Sequence, residues 1–292
     1  MCRTEIFCKY DDFCKEFEPG WNNILLSSDR NSRNRKGKLN LSERMTIFTL
    51  FHQSNYRTFK HFYNSYVLKH YRDDFPKLIS YERFVALMPS MLVPMMMFLY
   101  SQRGKCTGIS YVDSTKLQVC ANIRIPRHKV FKGIAARGKS SMGWFFGFKL
   151  HLIVNDKGEI LAFHISPGNV DDRVPVEEMS KKLFGKLYGD RGYISQKIFK
   201  ILMDKGLQLI TTIRNKMKNK LMNILDKILL RKRYIIETIN DQLKNISQIE
   251  HSRHRSFANC MLNVLTGLAA YSLQEKKPSI RIDGNALEQV IC

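Results

Sequence analysis

The spacing of apolar and polar residues changes along the chain, and the change divides it near residue 105. Before that point apolar residues recur at helical intervals, as in the run from Leu41 to Tyr71. From Ser110 onward the pattern becomes that of strands and buried apolar runs, separated by turn residues such as Asp156-Lys157-Gly158. The sequence therefore predicts a helical domain over residues 1–105 and a mixed domain after it.

The second region alternates between strand and helix patterns. The predicted strands cover residues 110–119, 143–155, 159–166, 186–189 and 207–213. The predicted helices cover residues 174–184, 195–205, 221–246 and 257–273. Three strands followed by alternating helices and strands imply a mixed sheet with helices on its faces. This order resembles an α/β ribonuclease-H-like domain, which we place at 106–278, with a polar tail at 279–292.

The composition is strongly basic. Lys and Arg total 48 against 26 Asp and Glu, a formal charge of +22. Net charge reports on partners rather than on fold, so a polyanion such as nucleic acid is the expected partner. An anionic membrane surface is the alternative, and the spread of charge over the whole chain weighs against it. The 7 cysteines are irregularly spaced, which is typical of reduced thiols in a cytoplasmic protein.

The most apolar stretch runs from Phe84 to Tyr100 and contains Pro89 and Pro94. It is shorter than a membrane-spanning helix requires, so we interpret it as a buried helix and expect no membrane partner. The start of the chain lacks the apolar core of a secretory signal.

Three separated carboxylates are the candidate catalytic residues. Asp113 ends the apolar run that starts at Ile109, and Asp190 follows the short apolar run ending in Gly189. Glu237 lies within the predicted helix 221–246. An Asp after a strand is most often a turn residue, but two strand-end carboxylates and one helical carboxylate in a basic chain indicate metal-dependent chemistry on nucleic acid.

Helical geometry at about 100° per residue places Arg233, Asn240 and Lys244 on the same face as Glu237. The apolar stripe on the other side of this helix comprises Ile235, Ile236, Ile239, Leu243 and Ile246. Asp241 also lies near that polar face and is the rival third acidic ligand. Ordinary charge pairing on a solvated helix is the alternative interpretation of these residues.

At these residues the chain resembles the DDE transposases of bacterial insertion sequences. Many of these proteins carry Tyr-x2-Arg-x3-Glu-x6-Lys, and here Arg233-x3-Glu237-x6-Lys244 matches while Leu230 replaces the tyrosine. The details are most similar to the 982 family of these transposases. They are the segments at 111–115, 166–172 and 189–193, and the likeness covers roughly 105–278.

The resemblance implies both an activity and a site. Asp113 is expected on the first, central strand and Asp190 at the end of the adjacent one. Together with Glu237 they would hold two Mg²⁺ (or Mn²⁺) ions, with Asp113 bridging both. The implied reaction is cleavage of DNA at the element ends and joining of the freed 3′-OH to target DNA. The implied setting is the bacterial cytoplasm at the nucleoid, as a homo-oligomer on DNA.

The same resemblance makes Arg233 and Lys244 phosphate-binding residues beside the metal site. Further DNA contacts are predicted in the stretch 124–139, which holds six basic residues and no acid, among them Arg124, Arg127, Lys129 and Lys132. A second basic track is predicted at 200–233. The N-terminal domain is the predicted DNA-binding domain. Its order of helix, short turn and helix is compatible with a helix-turn-helix DNA reader and is also common in any small helical domain. The stretch 30–38 is either a linker or a DNA-contacting arm.

The remaining candidates are expected to be structural. His128 and His151 are interpreted as structural or phosphate-contacting rather than metal ligands, and Trp144 and Phe145 as core residues of the second strand. Two rival functions stay open: a ribonuclease-H-fold nuclease without strand transfer, and a non-catalytic, DNA-binding relic of a transposase. The presence of all three carboxylates favours an active transposase.

Overall fold

The computed structural model describes residues 1–27, 37–141, 143–212, 222–250 and 254–280. Its backbone divides into two compact units. Among the described residues, unit 1 comprises Met1–Gln102 together with Leu243–Glu275, and unit 2 comprises Arg103–Gln242 and Lys276–Ile280. The first division lies close to the boundary predicted near residue 105, whereas the stretch from Leu243, which the sequence had placed in the second domain, belongs to unit 1.

The helices described by the structure are α1 (Arg3–Ser27), α2 (Leu41–Gln53), α3 (Phe59–Phe62), α4 (Leu68–His70), α5 (Tyr81–Leu87), α6 (Leu92–Ser101), α7 (Val176–Met179), α8 (Gln196–Asp204), α9 (Ile224–Arg231), α10 (Tyr234–Asp241) and α11 (Phe257–Ser272). The strands are β1 (Ile109–Cys120), β2 (Ala136–Ser140), β3 (Gly143–Asn155), β4 (Ile160–Pro167), β5 (Gly185–Gly189) and β6 (Leu207–Thr211). This mixed α/β architecture, with a helical N-terminal region, is the ribonuclease-H-like fold expected from the sequence.

Unit 1 is built around α11, whose side chains from Cys260 to Tyr271 are buried. It packs against α2 and α6 within that unit. Helix starts follow ordinary capping chemistry: the Ser80 hydroxyl accepts a hydrogen bond from the backbone N–H of Arg83, and the Ser256 hydroxyl accepts one from Asn259. The predicted final helix is therefore confirmed as a helix, and its packing explains why it joins the N-terminal unit.

The helical stretch Tyr81–Ser101 is long and apolar enough to cross a membrane, judged by length and composition alone. In the structure Phe84, Met91 and Met95 of this stretch have no exposed surface. The flexible methionine side chains fill the spaces between the helices of unit 1. These buried side chains belong to the core of unit 1, and the expectation of no membrane partner stays a prediction.

Unit 2 is centred on a six-stranded sheet in the order β2-β3-β1-β5-β6, with β4 also paired to β3. The strands β1, β3 and β4 are antiparallel, while β1–β5 and β5–β6 are parallel. The long strand β3 pairs with β2 through its first half and with β4 through its second half. As expected, β1 is central and β5 lies beside it.

Each face of the sheet has its own helices. One face forms an apolar core from Val112, Ile153 and Leu187 with side chains of α7 and α8. On the other, α10 lies against β1, and α9 lies against β5 and β6. Asp226 at the start of α9 is buried, and it accepts hydrogen bonds from Lys186 over 3.0 Å and Tyr188 over 2.8 Å. Two donors on β5 thereby fix α9 on the sheet.

Several predicted elements differ from the structure. The helix predicted over 221–246 is α9, a break at Lys232–Arg233, then α10, and a π-helical turn over Gln242–Ile246. Ile246 is 51% exposed and does not belong to the apolar stripe, whereas the other four members are buried. The predicted helix 174–184 shrinks to α7, and β2 was not predicted. The stretch 30–36 and the tail from 281 lie outside the described residues.

Candidate functional site

Asp113 and Asp190 project from neighbouring parallel strands. Tyr111 on β1 pairs with Tyr188 on β5, and their rings stack with centroids 5.4 Å apart. Asp113 and Asp190 each follow their tyrosine by two residues. Since side chains two apart on a strand share a face, both carboxylates lie on the face of the sheet that carries α10.

The backbone fixes the position of Asp190 directly after β5. Its dihedral angles are extended (φ −74°, ψ 170°), and it is the N-cap of the short turn Arg191–Tyr193. One carboxylate oxygen accepts a hydrogen bond from the backbone N–H of Arg191 over 2.5 Å. Asp190 is exposed at the strand end.

Helix α10 brings the third group to this face. Its buried side chains Ile235, Ile236 and Ile239 form the side that packs on the sheet. Because of this packing, Glu237 and Asn240 point in different directions from the helix. Asn240 is buried, and its Nδ2 donates a hydrogen bond to Oδ2 of Asp113 over 3.0 Å. Glu237 is exposed. The apolar packing of α10 thus determines which polar side chain touches β1.

Arg233 links two of the three carboxylates. Its Nη2 lies 2.7 Å from Oε1 of Glu237, and its Nη1 lies 4.0 Å from Oδ1 of Asp113. The Arg233 and Asp113 side chains are 21% and 23% exposed, and that of Glu237 is 55% exposed. A guanidinium therefore supplies positive charge between the strand carboxylate and the helical one.

The electrostatics of Asp113 reflect these neighbours. Burial raises the pKa of Asp113 to about 6. The charges of Glu237 and Asp190 contribute to this rise, and the Arg233 guanidinium and the backbone N–H of Ser114 oppose it. Because both other carboxylates act on Asp113, the three acidic residues form one electrostatic cluster. A half-buried carboxylate with acidic neighbours favours binding of a cation.

The composition of this cluster fits hard divalent cations. Its groups offer oxygen atoms, the ligands that Mg²⁺ and Mn²⁺ prefer. Oδ1 of Asn240 is a buried oxygen without a hydrogen-bond partner among the described residues, so one further acceptor is available on the residue that contacts Asp113. Within the described ranges no three His, Cys, Asp or Glu side chains gather closely enough to hold an ion. Arg233 lies between Asp113 and Glu237 instead, so the oxygen donors suit a divalent cation by their type and not by their spacing in this structure.

Sequence reasoning missed two contributors. Asn240 was placed on the Glu237 face without a role, although its position three residues after Glu237 was the available signal. Asp172 is the second. Burial raises the pKa of Tyr193, and Asp113, Asp172 and Asp190 raise it further, so all three acids lie near one phenol. Lys149 holds Asp172 with an ion pair of 2.9 Å.

Other predicted site residues lie elsewhere. Lys244 is on the π-helical turn, where spacing of about 100° per residue no longer applies, and it pairs with Glu250 over 3.2 Å. Asp241 is exposed at the end of α10. His151 is buried with Nε2 2.8 Å from the Ser166 hydroxyl, consistent with a structural histidine. His128 stacks on Phe131 with centroids 5.4 Å apart.

The predicted DNA-contacting residues of the β1–β2 connection all reach solvent. The side chains concerned are Arg124, Arg127, Lys129 and Lys132. None of these four forms an ion pair with any residue that the structure describes. One structural expectation nearby was wrong: Trp144 is 61% exposed, because it lies at the outer end of β3, while Phe145 is 1% exposed as expected.

Comparison with known proteins agrees with this geometry. The family model described as a transposase DDE domain matches residues 103–257, more than half of the 292 residues. The match begins at the start of unit 2 and includes all three acidic residues of the cluster. No curated protein matches the chain. The matched span and the mixed fold it covers show that this chain belongs to the family of DDE-domain transposases.

Proposed function

We propose that the protein is an insertion-sequence transposase that cuts DNA at the ends of its element and joins the freed 3′-OH to target DNA. The observation that carries the proposal is the electrostatic cluster of Asp113, Asp190 and Glu237 on one face of the sheet. Membership in the DDE transposase family supports the DNA-directed chemistry. The likeness to the 982 family at 111–115, 166–172 and 189–193 supports the choice of an insertion sequence as its element.

Asp113, Asp190 and Glu237 are the residues that would hold two Mg²⁺ or Mn²⁺ ions. When bound, such ions activate the attacking oxygen and stabilise the leaving oxygen of a phosphoryl transfer. Hydrogen bonds within the chain hold two of these carboxylates in position. Asn240 fixes the carboxylate of Asp113 through its hydrogen bond, and the backbone N–H of Arg191 fixes that of Asp190. Carboxylates that are already held in position need less reorganisation when they bind an ion.

Arg233 has two roles in this proposal. In this structure it forms an ion pair with Glu237 and partly offsets the charge of Asp113. The planar donors of the guanidinium are also suited to a phosphate oxygen of the DNA, which Arg233 would bind if its carboxylate partners were engaged elsewhere. The basic residues Arg124, Arg127, Lys129 and Lys132 contact the DNA backbone further along the strand, and Lys244 stays a proposed phosphate contact.

The partners follow from the reaction. The protein acts on its element ends and on target DNA in the bacterial cytoplasm, at the nucleoid, and pairing of two ends requires at least a homodimer on DNA. The helical N-terminal domain, residues 1–105 as drawn from the sequence, is the proposed DNA-binding domain. No membrane is involved in this chemistry.

The test compares wild type with Asp113→Asn on the DNA fragment that carries the gene and its flanking repeats. We expect Mg²⁺-dependent cleavage to fall by at least about 100-fold in the variant while DNA binding persists, since the amide removes a charged ligand but keeps the shape. Asp204→Asn, an exposed acid on α8, is the matched control. Unchanged cleavage by Asp113→Asn would contradict the assignment of the site.

Strand transfer is measured separately, with pre-nicked element ends and a supercoiled plasmid as target. Joined products support a transposase. Cleavage without joining would instead identify a nuclease, and binding without either reaction would identify a relic.

A further inference from the structure

Trp144 is a large aromatic side chain that the fold leaves in solvent, with 61% of its surface exposed. Its neighbour Phe145 points to the opposite face and is 1% exposed. Beneath Phe145 there is room only for glycine: a Cβ at Gly138 would lie 2.2 Å from the carbonyl oxygen of Gly168. The β2–β3 hairpin is therefore packed tightly on one side, and the other side presents Trp144.

The surroundings of Trp144 are cationic. Lys139 is its direct cross-strand partner, and the ammonium group lies 5.9 Å from the centre of the indole ring. Arg137 is the next exposed side chain of β2 on the same face. The stretch 122–141 contains six Lys and Arg residues and no Asp or Glu. An exposed aromatic ring within uncompensated positive charge is complementary to a nucleic-acid strand.

The position of Trp144 is fixed by contacts around the hairpin. The side-chain amide of Asn122 donates a hydrogen bond to the carbonyl oxygen of Trp144 over 2.8 Å. Phe131 is buried and meets Phe148 edge to face at 5.8 Å, which fixes the connection between β1 and β2. The Trp144 indole therefore lies on a hairpin that is already ordered, so the binding of a ligand to it costs little conformational entropy.

Trp144 also lies on the face of the sheet that carries the acidic cluster. Asp113 pairs with Leu152 on β3, and Leu152 and Trp144 are separated by an even number of residues. Side chains at that spacing share a face, and eight residues of strand span about 26 Å. That distance corresponds to roughly seven or eight nucleotides along one strand of a B-form duplex, at about 3.4 Å each, and to fewer nucleotides of an extended single strand.

We propose that Trp144 is a stacking platform for an unpaired base of the DNA strand whose phosphates contact Lys139 and Arg137. The inference rests on the proposed function, because it takes DNA as the ligand. Stacking on an aromatic side chain tolerates every base, whereas a duplex keeps its bases stacked on one another and engages the cations alone. The platform therefore favours a single-stranded or frayed segment over an intact duplex.

The test uses the two tryptophans of the chain, Trp21 and Trp144. In the Trp21→Phe variant Trp144 is the remaining tryptophan, and excitation at the red edge of its absorption avoids the tyrosines, so quenching of its fluorescence reports a stacked base. We expect oligo(dT) of about 20 nucleotides to quench this fluorescence. We also expect Trp144→Ala to weaken oligo(dT) binding by about 5- to 100-fold in fluorescence anisotropy, with blunt duplex binding unchanged within about twofold.

The matched control is Phe184→Ala, an exposed aromatic residue outside this hairpin, 47% exposed. It should bind both oligonucleotides as wild type does, and circular dichroism checks the folding of all variants. Absence of quenching, equal losses on single strand and duplex, or a DNA-independent loss of self-association in Trp144→Ala would each overturn the proposal. Duplex losses would point to backbone contact, and lost self-association to an interface between copies.

Failure of the proposed function is separable from failure of this inference. Asp113→Asn should keep the oligo(dT) quenching in the Trp21→Phe background, since it does not touch the hairpin. Quenching without any Mg²⁺-dependent cleavage by the wild-type protein would reject the catalytic assignment and leave the platform standing. Mg²⁺-dependent cleavage without quenching would reject the stacking role of Trp144 and leave the catalytic assignment standing.

Discussion

Asn240 donates its Nδ2 hydrogen to Oδ2 of Asp113 over 3.0 Å, joining residues 127 positions apart in the sequence. The bond connects α10 to the central strand and orients the most buried of the three carboxylates. Hydrogen bonds to charged groups contribute about 1.5–3 kcal/mol, and much of this depends on neither partner being left unpaired. The amide is therefore a positioning residue for the acidic cluster.

Replacing Asn240 by Leu should lower Mg²⁺-dependent DNA cleavage by roughly 10- to 100-fold, because the Asp113 carboxylate loses the donor that orients it. Single-turnover cleavage measures the effect, and DNA binding should be unchanged. A merely structural role would instead lower the thermal midpoint without changing the Mg²⁺ concentration required. Asp241→Asn on the same helix is the control, and a loss there as large as that of Asn240→Leu would restore Asp241 as the third ligand.

Replacing Arg233 by Gln should strengthen Mn²⁺ binding to the DNA-free protein, by several-fold, while cleavage falls. The reason is electrostatic: the guanidinium competes with a metal ion for Asp113 and Glu237, and its removal leaves the carboxylates without that counter-charge. Titration calorimetry measures the affinity. Arg231→Gln, an exposed residue at the end of α9, should bind Mn²⁺ as wild type does; weaker binding by Arg233→Gln would argue against competition.

His52 predicts a pH dependence of stability in unit 1. Burial lowers the pKa of His52 from 6.5 to about 4, and Nδ1 lies 2.6 Å from the carbonyl oxygen of Ser247. The folded state thus holds the neutral ring. The contribution of the neutral His52 ring to the free energy of unfolding is complete above pH 6.5. It is lost as the pH falls towards 4, because the unfolded chain takes up the proton at a higher pH than the folded chain does.

Wild type should therefore lose more stability than His52→Asn between pH 7 and pH 5, by about 2 kcal/mol. Asparagine keeps a donor near the position of Nδ1 and does not titrate. Urea unfolding at both pH values measures the difference. Identical slopes for the two proteins would show that His52 titrates normally in the folded state.

Gly147 predicts a packing limit in the sheet. A Cβ at this residue would lie 2.0 Å from the carbonyl oxygen of Leu117 on the neighbouring strand β1. Backbone cannot move away cheaply, so Gly147→Ala should cost more than about 2 kcal/mol of unfolding free energy. In α1, Gly20 has no atom within 4 Å of such a Cβ, and Gly20→Ala should be neutral or stabilising. Urea midpoints compare the two variants.

The sequence predicted the elements whose signal is local. Strands β3 and β4 are apolar runs around the turn at Asp156-Lys157-Gly158, and α8 begins after the cap Ser195. In contrast β2 carries two charges in five residues and pairs through its backbone with β3. Such a strand has no hydrophobic period, so only its neighbour reveals it.

The break at Lys232–Arg233 and the π-helical turn after α10 had no local signal either, since no Gly or Pro interrupts that stretch. The exposure of Trp144 was missed for a related reason. Strand alternation tells which residues share a face, but it does not tell where the covering layer ends along that face.

The sequence by itself determined the chemistry available to this protein: a basic chain, two carboxylates at the ends of apolar runs, and a third on an amphipathic helix. These properties depend on residue type and spacing, so they hold even where the predicted limits of a helix or strand are wrong. Tertiary structure decided the partners: Arg233 between Asp113 and Glu237, Asn240 on Asp113, and Lys244 paired with Glu250. Such contacts join residues distant in sequence or depend on the angle at which a helix is seated, and packing of the buried isoleucines of α10 fixes that angle.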